Sequence, residues 1–154
     1  RMHQLTLGLI KSNSLEALLD TLRENLLGEF KADTVVMRLA GMTEAFTREC
    51  GVDLYDTDAP ELQHFETFLK TSRPQCGRFK PEQLQYLFGD QAQAIESAAL
   101  IPLGKHGQQG VLAIGSREVS RFHPGMGTLF LTHLGELMDL LLTEQLGTGS
   151  PATD

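Results

Sequence analysis

The chain holds only two cysteines in 154 residues, Cys50 and Cys76. That is too few for a disulfide scaffold, and their separation lacks the paired spacing, such as CxxC, of a structural metal site. Basic residues are also scarce: 13 Lys and Arg stand against 20 Asp and Glu, a formal net charge of -7. Non-specific nucleic-acid binding needs clustered Lys and Arg on a scale this balance does not provide. No window approaches the roughly 18 consecutive apolar residues of a membrane span. No charged leader, apolar core and small-residue cleavage site follow Arg1, and the start without methionine gives the expectation of a fragment of a longer protein. With its few cysteines, the chain reads as one cytoplasmic globular domain.

A nucleotide-binding signature is missing as well. The stretch SAALIPLGKHGQQGVLAIGS, Ser97 to Ser116, places Gly104, Gly107 and Gly110 at every third position around Lys105 and His106. A phosphate cradle needs such a loop to run into a helix, so that backbone N–H groups and the helix dipole converge on the anion. Here Val111 to Ile114 follow, an apolar β-rich run, and Ala99 to Leu103 precede. The stretch reads as two buried strands joined by a glycine-rich hairpin connection, with Lys105 and His106 as solvated turn residues.

What is present is a regular alternation of helical and extended patterns. Leu5 and Leu9 read as the end of a first helix, and Leu15, Leu18, Leu19, Leu22 and Leu26 recur at helical spacing up to about Phe30, with Ser12, Asn13 or Ser14 as cap. TVVMRLAG, from Thr34, suits a central strand, and a second strand is expected over 44–50. The acidic stretch GVDLYDTDAP, 51–60, reads as an exposed loop, and Pro60 then starts a helix carrying Leu62, Phe65, Phe68 and Leu69. A strand over 75–79 and a short helix from Pro81, stopped by Gly89, precede the hairpin. From Met126 a long helix carries Leu129, Phe130, Leu134, Leu137, Met138, Leu141 and Leu142, an apolar arc of roughly 220° that is wider than one sheet-facing stripe needs. The N-terminal helix and the same helix of a second subunit are the candidates to cover the remainder, both together in a helical bundle. The tail GTGSPATD has a disordered composition.

This order resembles a GAF domain. The segments FKADTVVMRL, RPQCGRF, SAALIPLG, GVLAIGS and RFHPGMGTLFL are more closely similar to the bacterial domain-of-unknown-function family numbered 484, whose members carry a GAF-like domain after an N-terminal helical region. The resemblance implies an α+β fold, with an antiparallel central sheet of about five or six strands and the N- and C-terminal helices packed together on one face. It divides the chain into a helical segment over 1–30, a GAF-like domain over 31–146 and a tail over 147–154. It further implies a pocket on the sheet face opposite the terminal helices, and dimerisation through those helices. The asparagine-lysine, phenylalanine and aspartate-glutamate pattern of cyclic-nucleotide GAF domains does not occur, nor does a cysteine with a histidine neighbour as in bilin-binding relatives.

Cys76, Gly77 and Arg78 are the foremost candidate ligand-binding residues. Gly77 would let a ligand approach the backbone, and Arg73 and Arg78 could hold a carboxylate or phosphate and favour a Cys76 thiolate. The bland alternative is a small buried cysteine beside a surface arginine. Tyr86, Phe88 and Phe79 would supply an apolar wall, with plain core as the bland alternative, and Arg38, inside an apolar strand, must be paired, pocket-facing or at an edge, with Glu49 as a candidate partner. His133 lacks a zinc-site spacing and reads as a hydrogen-bonded packing histidine. No catalytic residue, metal or cofactor is expected. The expected function is a non-enzymatic sensory or regulatory module, homodimeric, with a small-molecule pocket. The alternatives are an interaction domain whose pocket is filled by its own side chains, and a thiol-dependent enzyme resembling GAF-fold methionine sulfoxide reductases.

Overall fold

A computed structural model describes residues 15–28, 31–40, 53–55, 58–123 and 128–147. The expected first helix, the strand over 44–50, Cys50, Glu49 and the tail lie outside the described residues. Helix α1 spans Leu15–Gly28, strand β1 Thr34–Leu39 and β2 Asp53–Leu54. A 3-10 segment, Pro60–Phe65, leads into α2, Glu66–Thr71, followed by β3, Gln75–Gly77, and α3, Pro81–Phe88. A second 3-10 segment, Gly89–Ala94, precedes β4, Ser97–Leu103, and β5, Gly110–Ser116. Helix α4, Leu129–Gly147, completes an α+β fold.

The strands lie in the order β2-β1-β5-β4-β3. Strands β1, β5, β4 and β3 are antiparallel neighbours, and the two-residue β2 adds a parallel edge through the pairs Arg38↔Asp53 and Leu39↔Leu54. All seven residues of β4 and all seven of β5 are buried, so both faces of the central hairpin are covered. Because side chains alternate along a strand, this demands apolar residues at consecutive positions and a layer on each side.

One layer consists of α1 and α4. Met37, Leu39, Ala99, Ile101, Leu112 and Ile114 from the sheet pack against Leu18, Leu22 and Leu26 of α1 and Leu131, Leu134, Met138 and Leu142 of α4. A 14-residue helix is marginal by itself, and the buried leucines of α1, worth about 1.5–3 kcal/mol each on transfer from water, hold it in place. The wide apolar arc of α4 is thus largely satisfied within one chain. His133 lies on the exposed outer side, not in the packing. It falls on the same side of the helix as Leu129 and Leu140, which are 69% and 62% exposed.

The opposite layer comes from residues 55–95. Tyr55, Phe65, Phe68, Leu87, Phe88 and Ile95 pack against Leu100, Val111 and Ala113. The stretch 51–60 is therefore not simply an exposed loop. Tyr55 N–H donates to Leu39 O at 3.1 Å, and this edge pairing carries the Tyr55 ring into the core. Strand β3 ends at Gly77, so Phe79 leaves the sheet and joins the aromatic layer. Pro102 sits in β4 beyond the last β3 pair, Gln75↔Leu100, where a missing N–H takes nothing from the ladder.

Two buried serines fasten the far end of the hairpin. Ser97 Oγ donates to Glu118 O at 2.6 Å and accepts from Phe122 N at 3.2 Å, and Ser116 Oγ accepts from Glu118 N at 3.0 Å. They hold the 117–122 turn so that Phe122 enters the helix-side core. At the near end, Gly110 has φ +143°, and a Cβ there would overlap Arg38 O. Gly110→Ala lowers stability by roughly 2 kcal/mol or more, combining backbone strain with overpacking. Gly28→Ala, where a Cβ meets nothing within 4 Å, leaves stability unchanged or raises it by up to about 1 kcal/mol. Urea midpoints of the two variants test the contrast, and a neutral Gly110→Ala would contradict the packing described.

Candidate functional site

The face opposite the terminal helices is where the GAF resemblance puts a pocket. Phe65 and Tyr86 meet with ring centroids 5.6 Å apart at 52°, and Tyr55, Phe68, Leu100 and Val111 close around them. The cavity left between these side chains is about 10 Å³. That is room for about one water molecule at most. Burial, and to a lesser degree the neighbouring Tyr86 phenol, pushes the Tyr55 hydroxyl above its ordinary pKa of 10.0.

Arg38 forms one wall of this layer. Its guanidinium lies 4.1 Å from the centroid of the Tyr86 ring, and Nη2 donates to Tyr86 O at 2.7 Å. A cation over an aromatic face and a charge-assisted hydrogen bond together account for a charge in an apolar strand. They tie β1 to the last turn of α3. Arg38 and Tyr86 are in contact, and Phe79 packs against the same aromatic cluster.

Cys76 does not join them. Period-two alternation turns its side chain to the other face, against the helix-side core, while Gly77 is buried within the strand opposite Ala98. Burial pushes the Cys76 thiol up to about 11, from an ordinary 9.0. The expectation of an arginine-stabilised thiolate is therefore corrected: Arg78, its side chain 71% exposed, points to solvent and pairs with Glu96 at 3.5 Å. Gly77 takes φ +142°, a backbone need that explains the glycine without a ligand.

Among the described residues, three surface grooves stand out that are not lined by Cys76, Gly77 or Arg78. One, of about 240 Å³, lies between the end of β4 and α4, lined by Pro74, Ile101, Gly104, Lys105, Gly135 and Asp139. Gly135 brings α4 close to β4, since a Cβ there would meet Ile101 Cγ2 at 2.8 Å. Gln109 Nε2 donates to Asp139 and, at 2.8 Å, to Thr143 Oγ1, and burial raises the pKa of Asp139. A second, of about 430 Å³, opens beside Asp58, Leu69, Lys70 and His106. Here His106 is more than a solvated turn residue: its N–H donates to Ser72 Oγ at 2.9 Å, and Nδ1 lies 3.0 Å from Leu69 O. The third, of about 360 Å³, is polar and includes His64, Gln75, Lys80 and Gln83. Among the described residues, no group of three or more His, Cys, Asp or Glu side chains is placed to hold a metal ion.

Sequence reading missed Tyr55, Gln109 and Asp139. A glycine inside the apolar stripe of α4, Gly135, was the available sign of a close helix–strand approach.

The family model for DUF484, described as proteins of unknown function, matches residues 1–145. The chain belongs to the DUF484 family. No curated protein matches it. Among the described residues, no helix of this DUF484 chain is long and apolar enough to cross a membrane. Its Cys76 is held as a thiol near neutral pH, because a thiol pushed up by burial ionises only as pH rises toward 11. In a Cys50→Ser background, iodoacetamide at pH 8 modifies folded Cys76 at roughly one hundredth of the rate seen after unfolding in urea, since only the thiolate reacts. Equal rates would contradict this environment.

Proposed function

We propose that this DUF484 domain is a GAF-like, non-catalytic regulatory module that works through its surfaces and terminal helices, with its internal pocket position occupied by its own side chains. The observation that carries the reading is the 10 Å³ cavity among Tyr55, Phe65, Phe68, Tyr86, Leu100 and Val111. A small-molecule site of ordinary size encloses about 300–1,000 Å³. The GAF-like description rests on the antiparallel sheet, the terminal helices sharing one face, and the resemblance in the hairpin and its flanking segments. A thiol enzyme fits poorly, because burial keeps Cys76 protonated.

The module acts as a homodimer through its terminal helices. Leu129 and Leu140 stand out from α4, beside the half-buried Leu137, and a second copy of the helix would cover them. A second reading, a small ligand pressing on α4, is favoured by the 240 Å³ groove that Gly104 and Gly135 help line. Such a ligand would signal only by binding two helix arrangements unequally.

Native mass spectrometry of the chain purified from its source gives a mass without any retained small molecule. A stoichiometric adduct would overturn the surface-acting reading in favour of the ligand reading. Light scattering finds a dimer, and Leu140→Glu, on an exposed position, yields a folded monomer. A wild-type monomer at high concentration would refute the dimer.

A further inference from the structure

The outer side of α4 carries a pattern of its own. Leu131, Leu134, Met138 and Leu142 lie in the helix-side core, and at the helical repeat they centre about 180° from Leu129, His133, Glu136 and Leu140, which are all exposed. Those four positions follow one another by four, three and four residues, the spacing of alternating d and a positions in a coiled-coil heptad. The seam therefore reads Leu, His, Glu, Leu. Leu129 and Leu140 are centred on a point between Leu134 and Gly135, and His133 and Glu136 are centred on the same point. Reversing the helix about that point sets each residue opposite a complementary one.

From this pattern we infer that α4 of two copies pairs antiparallel, about a two-fold axis passing beside Leu134 and Gly135. The inference rests on the homodimer reading above and gives that dimer its direction and register. In an antiparallel pair, a positions meet d positions, so Leu129 meets the partner's Leu140 and His133 donates a ring N–H to the partner's Glu136. A parallel pair would set every position against its own copy, bringing the two Glu136 carboxylates into one layer. Like charges sharing a partly desolvated seam disfavour that arrangement, and polar seam residues select the register that satisfies them. The flanks favour the same direction. Half-buried Phe130 and Leu137 lie on one side of the seam, with Thr132 and Asp139 on the other. The two-fold axis of an antiparallel pair keeps each flank on its own side, so apolar residues meet apolar ones. A parallel pair would place the apolar flank of one helix against the polar flank of the other.

The test uses the full chain carrying Cys50→Ser, Cys76→Ser and Thr143→Cys, with a nitroxide on the new thiol and pulsed electron resonance as the readout. The antiparallel register puts the two labelled backbone positions about 25 Å apart along the helix axes, whereas parallel helices would bring them within about 10 Å. The longer separation is expected. In the otherwise unchanged chain, His133→Lys, at a position exposed in the monomer, lowers the dimer Kd about threefold or more, because each lysine meets the partner's Glu136. A parallel seam would set lysine against lysine and raise the Kd. A short label separation, a raised or unchanged Kd in His133→Lys, or a dimer indifferent to Leu129→Glu would overturn this register and leave the homodimer reading standing. A wild-type chain that stays monomeric at high concentration would overturn both.

Discussion

Burial of both faces of the β4–β5 hairpin governs the rest of the molecule. Two runs of seven strand positions each are removed from water, so the sheet needs a cover on each side. Residues 15–28 and 129–147 supply one cover, and residues 55–95 the other. Local backbone choices follow. Gly110 is glycine because β1 passes too close for a Cβ, and Gly115 because Ile95, Thr34 and Phe88 crowd the other end. Pro102 is tolerated because β3 stops short of it.

The same constraint bears on function. An aromatic layer that must seal an apolar sheet face has little freedom to leave a ligand cavity, and Arg38 stitched to Tyr86 makes it stiffer. The features outside the two covers include the outer side of α4, the groove at the end of β4 and the edge of β3.

Much of this architecture is legible in the sequence. The apolar runs SAALIPL and GVLAIGS are too continuous for half-exposed strands, and the leucine spacing of α1 and α4 gives their buried sides directly. Other features resist reading for physical reasons. Tyr55 lies among acidic turn formers, and only a tertiary bond to Leu39 O shows that it is core. Cys76 and Phe79 are three positions apart, and this odd spacing sets them on opposite faces of the sheet although they are near in sequence. His133 falls within an apolar arc whose buried side is decided by packing against β4, which the helix's own periodicity does not reveal.

The central claim is that the space between the sheet and the 55–95 layer is filled. Xenon enters apolar cavities of modest size without polar partners, and its binding shifts the amide signals of cavity-lining residues. Under xenon pressure, the signals of Tyr55, Leu87, Leu100 and Val111 are expected to move only by the small linear amounts of non-specific contact. Saturable shifts centred on these residues would reveal a cavity in the aromatic layer and contradict the account.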